Sequence, residues 1–281
     1  MRDDKFIINS DNLNKKDKKM LIPRILTALV GIPVVIACIY YGGLAFYIMF
    51  FAVILFSVME FFSICKKYNP LSFFGTLAAI VFYLALCTGT YVQEIAIISI
   101  FLIFFFAMFR KSIENISASL AVTCLGTFFI TWALFHMVLI RDIPKYGMHY
   151  IIFLFVNIWM LDTGAYFIGK KFGKHKLASL ISPKKTIEGA IAGVVTAVLV
   201  SLAYRHFFMQ NIITNNEAII FALVISFVGQ FSDLAESLFK RDCNIKDSGN
   251  ILPGHGGMLD RFDSYLFCAP IFYYLIQLMK Y

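Results

Sequence analysis

The chain has 281 residues, 60% of them hydrophobic and only 15% charged, with a formal charge of +8. A soluble domain holds roughly a quarter charged residues, so this balance, with a mean hydropathy of +0.78, excludes an ordinary water-soluble enzyme and points to one all-α, polytopic membrane body. Six cysteines at 38, 65, 87, 124, 243 and 268 form no CxxC pair, which argues against a zinc ribbon or a disulfide framework and leaves them as small buried apolar residues.

Residues 1–20 are polar and lysine-bearing, with no small-residue cleavage site behind a short apolar core. They read as a cytoplasmic tail ahead of an uncleaved first span. Apolar stretches of about 20 residues suffice to cross a bilayer as helices, and nine are expected, at about 21–41, 43–63, 71–89, 92–109, 118–140, 149–168, 187–208, 217–240 and 264–280. The runs are long and continuous rather than alternating, which predicts helices and not strands. The chain then divides into the tail, N-terminal membrane helices over 21–148, and a C-terminal membrane region over 149–281 with polar loops at 169–186 and 240–263.

Threading the spans alternately places 21 of the 25 basic residues on one side, leaving Arg141, Lys145, Arg205 and Lys280 on the other. The positive-inside rule puts the rich side, with the N-terminus and both long polar loops, in the cytoplasm. Charge gathered on that face attracts anionic headgroups or a nucleotide, and no nucleic-acid partner is expected.

The first polar island runs from Asp162 to Gly189. Asp162 lies inside the sixth span, where a lone carboxylate needs a lysine or a cation. Ser182 and Pro183 read as N-cap and first residue of the seventh span. That would place Lys184, Lys185 and Thr186 in its first turn, where free N–H groups attract phosphate.

The second island is denser. Gln230, Asp233, Ser237 and Lys240 are spaced to share one helical stripe, with Glu236 beside it. The loop that follows supplies Lys240, Arg241, Lys246 and Asp247, then His255 among glycines 249, 254, 256 and 257. Glycines allow positive φ and close backbone approach and leave N–H groups free for anions. Asp260, Arg261 and Asp263 open the ninth span. Converging hard oxygens from Asp233, Asp260 and Asp263 suit Mg²⁺, which keeps waters and substrate phosphates among its ligands. An ion pair of Glu236 with Lys240, or acids that only brace helix ends, is the structural alternative.

A cation, basic groups and a membrane-surface location specify phosphoryl or nucleotidyl transfer to a lipid. A lipid phosphate is already anionic, so no strong base is needed; charge repulsion and the leaving pyrophosphate are the difficulty, and metal and lysines answer both.

The run from Ser237 through Lys240-Arg241, Lys246-Asp247, Gly249, Leu252-Pro253, His255-Gly256-Gly257-Met258 and Asp260-Arg261-Phe262-Asp263 resembles the signature of the phosphatidate cytidylyltransferase, or CDP-diacylglycerol synthase, family. The stretch from Asp162 to Thr186 is similar to that family's other marked segment. The resemblance covers about residues 157–263. It implies a multi-span inner-membrane enzyme, a homodimer, that converts CTP and phosphatidate to CDP-diacylglycerol and pyrophosphate with Mg²⁺ and a second, monovalent cation. It implies Asp233, Ser237 and Asp260 as cation ligands, with Asp263, Glu236 and Asp247 as further candidates. It implies Lys240, Arg241, Lys246 and His255 as phosphate contacts, while Asp162, Lys184, Lys185, Thr186 and Arg261 are candidate substrate contacts. A CTP-dependent lipid-alcohol kinase is the rival among enzymes. A transporter of anionic lipid or nucleotide is the rival from another class, although no inverted repeat is visible.

Overall fold

The computed structural model describes residues 29–245, 248–249, 251 and 256–280. Among these the chain forms nine helices and one small hairpin. The helices are α1 (Leu29–Tyr41), α2 (Gly43–Ile64), α3 (Ser72–Thr88), α4 (Val92–Met108), α5 (Ile116–Arg141), α6 (Gly147–Phe172), α7 (Ile187–Phe208), α8 (Asn215–Asp242) and α9 (Leu259–Lys280). Strands β1 (Lys176–Ala178) and β2 (Ser182–Thr186) pair antiparallel between α6 and α7.

Six helices are long and apolar enough to cross a membrane: α2 with its short continuation to Tyr68, and α5 through α9. The chain is therefore a multi-pass membrane protein. The described part of α1 and helices α3 and α4 are apolar but shorter. At 17 residues each, α3 and α4 span about 25 Å, against a hydrocarbon core of about 30 Å.

Sequence and structure disagree over residues 182–186. Ser182 and Pro183 do not start a helix. They open β2, and Lys184 and Lys185 lie on that strand rather than in a first helical turn. Thr186 is the true N-cap of α7: its hydroxyl accepts from Gly189 N at 3.2 Å. The physical reason is local. Partners on β1 satisfy the ribbon's backbone groups, with Lys176 opposite Thr186 and Ala178 opposite Ser182, and a two-stranded ribbon tolerates Pro183 because one edge is unpaired. The all-α expectation gains this hairpin as its exception. Helix α6 also runs four residues past its expected end at 168, carrying Lys170 and Lys171 in its last turn.

Helices in lipid gain little from burying apolar area against one another, so close backbone approach matters more. Gly189 and Gly193 form a small-xxx-small ridge on α7. A Cβ at Gly189 would stand 2.7 Å from Ala165 O, and one at Gly193 would stand 2.7 Å from Leu161 O. This seam fixes α6 against α7 and so fixes the hairpin between them. Helices α8 and α9 pack beside it. Behind lies an aromatic core in which Phe153 and Phe272 stack with centroids 6.0 Å apart and Phe221 meets Phe272 edge-on at 5.2 Å.

Three of the four basic residues outside the lysine-rich segments are structurally tied. Arg141 Nε donates to Ile39 O at 2.6 Å, Arg205 Nε donates to Ile213 O at 2.9 Å, and Lys280 pairs with Glu217 at 2.6 Å. All six cysteines are free, as expected, and each is buried or half-buried.

Candidate active site

Helix α8 is built to present one polar face inward. It begins with a capping box, in which Glu217 N donates to Thr214 Oγ1 at 3.2 Å and Thr214 N donates to Glu217 Oε2 at 2.6 Å. Its outer side exposes Phe227, Phe231 and Leu238, while Ser232, Glu236, Ser237 and Lys240 are buried. The predicted stripe holds together. Gln230 Nε2 donates to Ala190 O at 3.3 Å, Asp233 pairs with Lys185 of β2, and Ser237 Oγ reaches Asp233 Oδ1 at 3.4 Å. One turn on, Lys240 pairs with Glu236 and, at 2.9 Å, with Asp260.

Asp260 is a heavily engaged carboxylate. Ser248 N donates to both its oxygens, at 3.2 and 3.0 Å, and Gly257 N donates to Oδ2 at 3.0 Å. Gly256 makes this possible with φ +84°, a conformation that suits glycine. Asp263 sits in the turn that interrupts α9. Its carboxylate accepts from Ser264 N at 2.6 Å, and its carbonyl accepts from Ser232 Oγ. Lys246, Asp247 and His255 lie outside the described residues.

A cavity of about 540 Å³ opens between α6, the hairpin, α7 and α8. Its charged lining is Asp162, Lys170, Lys176, Lys184, Lys185 and Asp233. Asp162 and Lys184 are exposed there, and Lys185 is half-buried against Asp233. Thr186 lines the same space while its hydroxyl serves α7 as a cap. Two predicted residues face elsewhere. Arg241 is occupied by main-chain carbonyls, donating to Ile181 O at 3.1 Å and Ile245 O at 3.3 Å, so it ties the hairpin to the end of α8. Arg261 is exposed in the first turn of α9.

The sequence reading missed Glu60. It sits near the end of α2, is 4% exposed, and accepts from Leu259 N at 2.8 Å and Ser248 Oγ at 3.2 Å. The available signal was a lone carboxylate in an otherwise apolar span, which is costly in a membrane and usually functional.

Among the described residues no three His, Cys, Asp or Glu side chains form a cluster ready for a metal; Asp233 and Asp260 carry lysine partners instead. The donor chemistry nonetheless fits a hard cation. Asp233, Ser237, Glu236, Asp260 and Asp263 offer oxygen alone, and Glu236 Oε1 is buried without a hydrogen-bond partner among the described residues.

Known proteins resemble the chain over most of its length. A family model described as the cytidylyltransferase family matches residues 22–279. The chain is 35% identical over 269 residues to the phosphatidate cytidylyltransferase of Bacillus subtilis (strain 168), covering 92% of this chain and 98% of that protein. It is 35% identical over 256 residues to the enzyme of the same name from Staphylococcus aureus (strain COL), covering 88% and 96%. It is 32% identical over 255 residues to that of Staphylococcus haemolyticus (strain JCSC1435), covering 88% and 96%.

Proposed function

The chain belongs to the cytidylyltransferase family, and on that premise we propose that it works in the cavity between the hairpin and α8. It is a nucleotidyltransferase that joins CTP and phosphatidate to give CDP-diacylglycerol and pyrophosphate. The observation that carries the placement is the pairing of Lys185 with Asp233 in the wall of a lysine-lined cavity.

A phosphate oxygen of phosphatidate attacks the α-phosphorus of CTP, and the bond from that phosphorus to the bridging oxygen of the pyrophosphate breaks. The nucleophile is already ionised, so no side chain needs to remove a proton. The residues supply charge and position. Lys170, Lys176, Lys184 and Lys185 draw two anionic substrates into one space against their mutual repulsion. Lys185 is preorganised by Asp233 and half exposed, so an incoming phosphate oxygen can take over its ammonium group. Asp260, clamped by two backbone N–H groups and Lys240, fixes the start of α9 beside α8.

Asp233, Ser237, Asp260 and Asp263 would hold Mg²⁺, with Glu236 beside them, and a second, monovalent cation is a further part of the proposal. Bound there, Mg²⁺ would neutralise charge on the phosphates and the departing pyrophosphate. Lys246 and His255 are the proposed phosphate contacts of the loop, with Arg241 and Arg261 beside them, and Asp247 is a further candidate cation ligand.

The proposed topology has nine spans in the inner membrane, with residues 1–20, the 169–186 loop and the 240–263 loop in the cytoplasm. The support is the uneven split of basic residues and the three shorter apolar helices at the expected places. A membrane-impermeant thiol reagent should label Cys243 in inverted vesicles and miss it in intact cells; labelling from outside would reverse the topology. A homodimer is proposed from the family resemblance and is open to crosslinking in vesicles. The function itself is tested with purified protein, labelled CTP, phosphatidate and Mg²⁺. CDP-lipid and pyrophosphate should appear together, whereas transfer of the γ-phosphate to a lipid alcohol would favour a kinase.

A further inference from the structure

We infer that Glu60 of α2 is a positioning residue for the transfer reaction: it is the anchor that sets the height and direction of the start of α9, which carries Asp260. This rests on the placement of the site proposed above.

Glu60 lies in the half of the chain that otherwise reads as apolar scaffold. A carboxylate that is 4% exposed in a membrane helix is expensive unless it does something specific. Its partners are 188 and 199 residues away along the chain: Ser248 Oγ at 3.2 Å and Leu259 N at 2.8 Å, both on Oε2. Leu259 N is one of the unpaired donors at the start of α9, so Glu60 caps that helix from another element. The loop glycines are shaped around the same group. A Cβ at Gly249 would stand 2.7 Å from Glu60 Oε1, and one at Gly257 would stand 2.5 Å from Oε2.

Two carboxylates hold Ser248 and the residues at the start of α9. Glu60 holds the Ser248 side chain and Leu259 N. Asp260 holds Ser248 N and Gly257 N. Ser248 is thus shared, with its hydroxyl on Glu60 and its amide on Asp260. Moving Glu60 would release the loop from the scaffold without touching Asp260 itself. Near a reacting centre, misplacement by about 1 Å can cost on the order of 100-fold in rate.

The experiment uses the full-length protein in detergent or vesicles and compares Glu60→Ala, Glu60→Gln and Ser248→Ala with wild type. It measures CDP-lipid formation, thermal midpoint, and hydrogen exchange of the peptide spanning 248–260. Glu60→Ala should lower kcat by roughly 10- to 100-fold and speed exchange over 248–260, with α6 and α7 protected as in wild type. Glu60→Gln keeps an acceptor for Leu259 N and should recover most of the rate. Ser248→Ala should lose a few-fold, and adding it to Glu60→Ala should cost little more, because both remove the same tie. If Glu60→Ala does not fold, the order wild type, Glu60→Gln, Ser248→Ala in loop exchange and kcat carries the same test. A kcat within about twofold of wild type in Glu60→Ala, or a fall in kcat with unchanged loop exchange, would overturn the inference. Asp260→Asn in the same assay separates the two levels. If it abolishes transfer while Glu60→Ala stays within about twofold of wild type, only the role of Glu60 falls; if it leaves transfer intact, the site placement falls first.

Discussion

Two lysine–carboxylate groupings stand one helical turn and a half apart on α8, and they differ in access. Lys185 and Asp233 have side chains 29% and 26% exposed, in the wall of the cavity. Lys240, Glu236 and Asp260 are 10%, 4% and 14% exposed, inside the packing between α8 and α9. The chemistry is the same, yet solvent access assigns different work. A ligand phosphate can compete for Lys185, and Asp233 is then left near water or a cation. Lys240 cannot leave without stranding two carboxylates. The first grouping is suited to meeting substrate, the second to holding the loop and helix start that complete the site.

Breaking the buried grouping should produce the largest effect. Lys240→Met leaves Glu236 and Asp260 without their shared cation, and removing one partner of a buried pair costs about 3–5 kcal/mol. The thermal midpoint of the purified protein should drop sharply, and transfer should vanish with the fold. A stable, active Lys240→Met would mean the two groupings are not different in kind. Next in size, Asp233→Asn and Asp260→Asn should each abolish transfer, and the double variant should be little worse than either single, as for groups acting as one unit. Additive losses would separate their roles. Lys185→Ala removes a charged contact worth about 1.5–3 kcal/mol, so KM for CTP should rise by roughly 10- to 100-fold with a near-normal midpoint. Wild-type kinetics would demote it to a topology signal. The smallest effect is expected of Thr186→Ala, where loss of the α7 cap should cost about 1 kcal/mol of stability and loosen the strand that presents Lys185.

Much of this was readable from the chain. The helices at 187–208 and 217–240 were legible because their apolar runs end in strong polar signals, and the stripe through Gln230, Asp233, Ser237 and Lys240 follows from helical spacing alone. The hairpin was not legible. Ser-Pro before lysines and a threonine fits an N-cap as well as a strand, and only pairing with Lys176–Ala178 decides. The lysine partner of Asp233 was hidden for a similar reason, since Lys185 arrives from 48 residues away. The tie of Arg241 to Ile181 O was equally out of reach, because it joins the hairpin to α8 across 60 residues. Glu60 was lost because its partner loop is almost 200 residues distant, a separation that periodicity and motif spacing do not bridge.

Asp233→Asn tests the central claim most directly, because Asp233 faces the cavity and its loss leaves no deeply buried charge unpaired. Purified variant and wild type, matched for folded fraction by thermal midpoint and gel filtration, are given labelled CTP, phosphatidate and Mg²⁺. The expected result is a wild-type fold with CDP-lipid formation at background. Substantial CDP-lipid formation per folded molecule would contradict the account and leave Asp233 as a brace for Lys185.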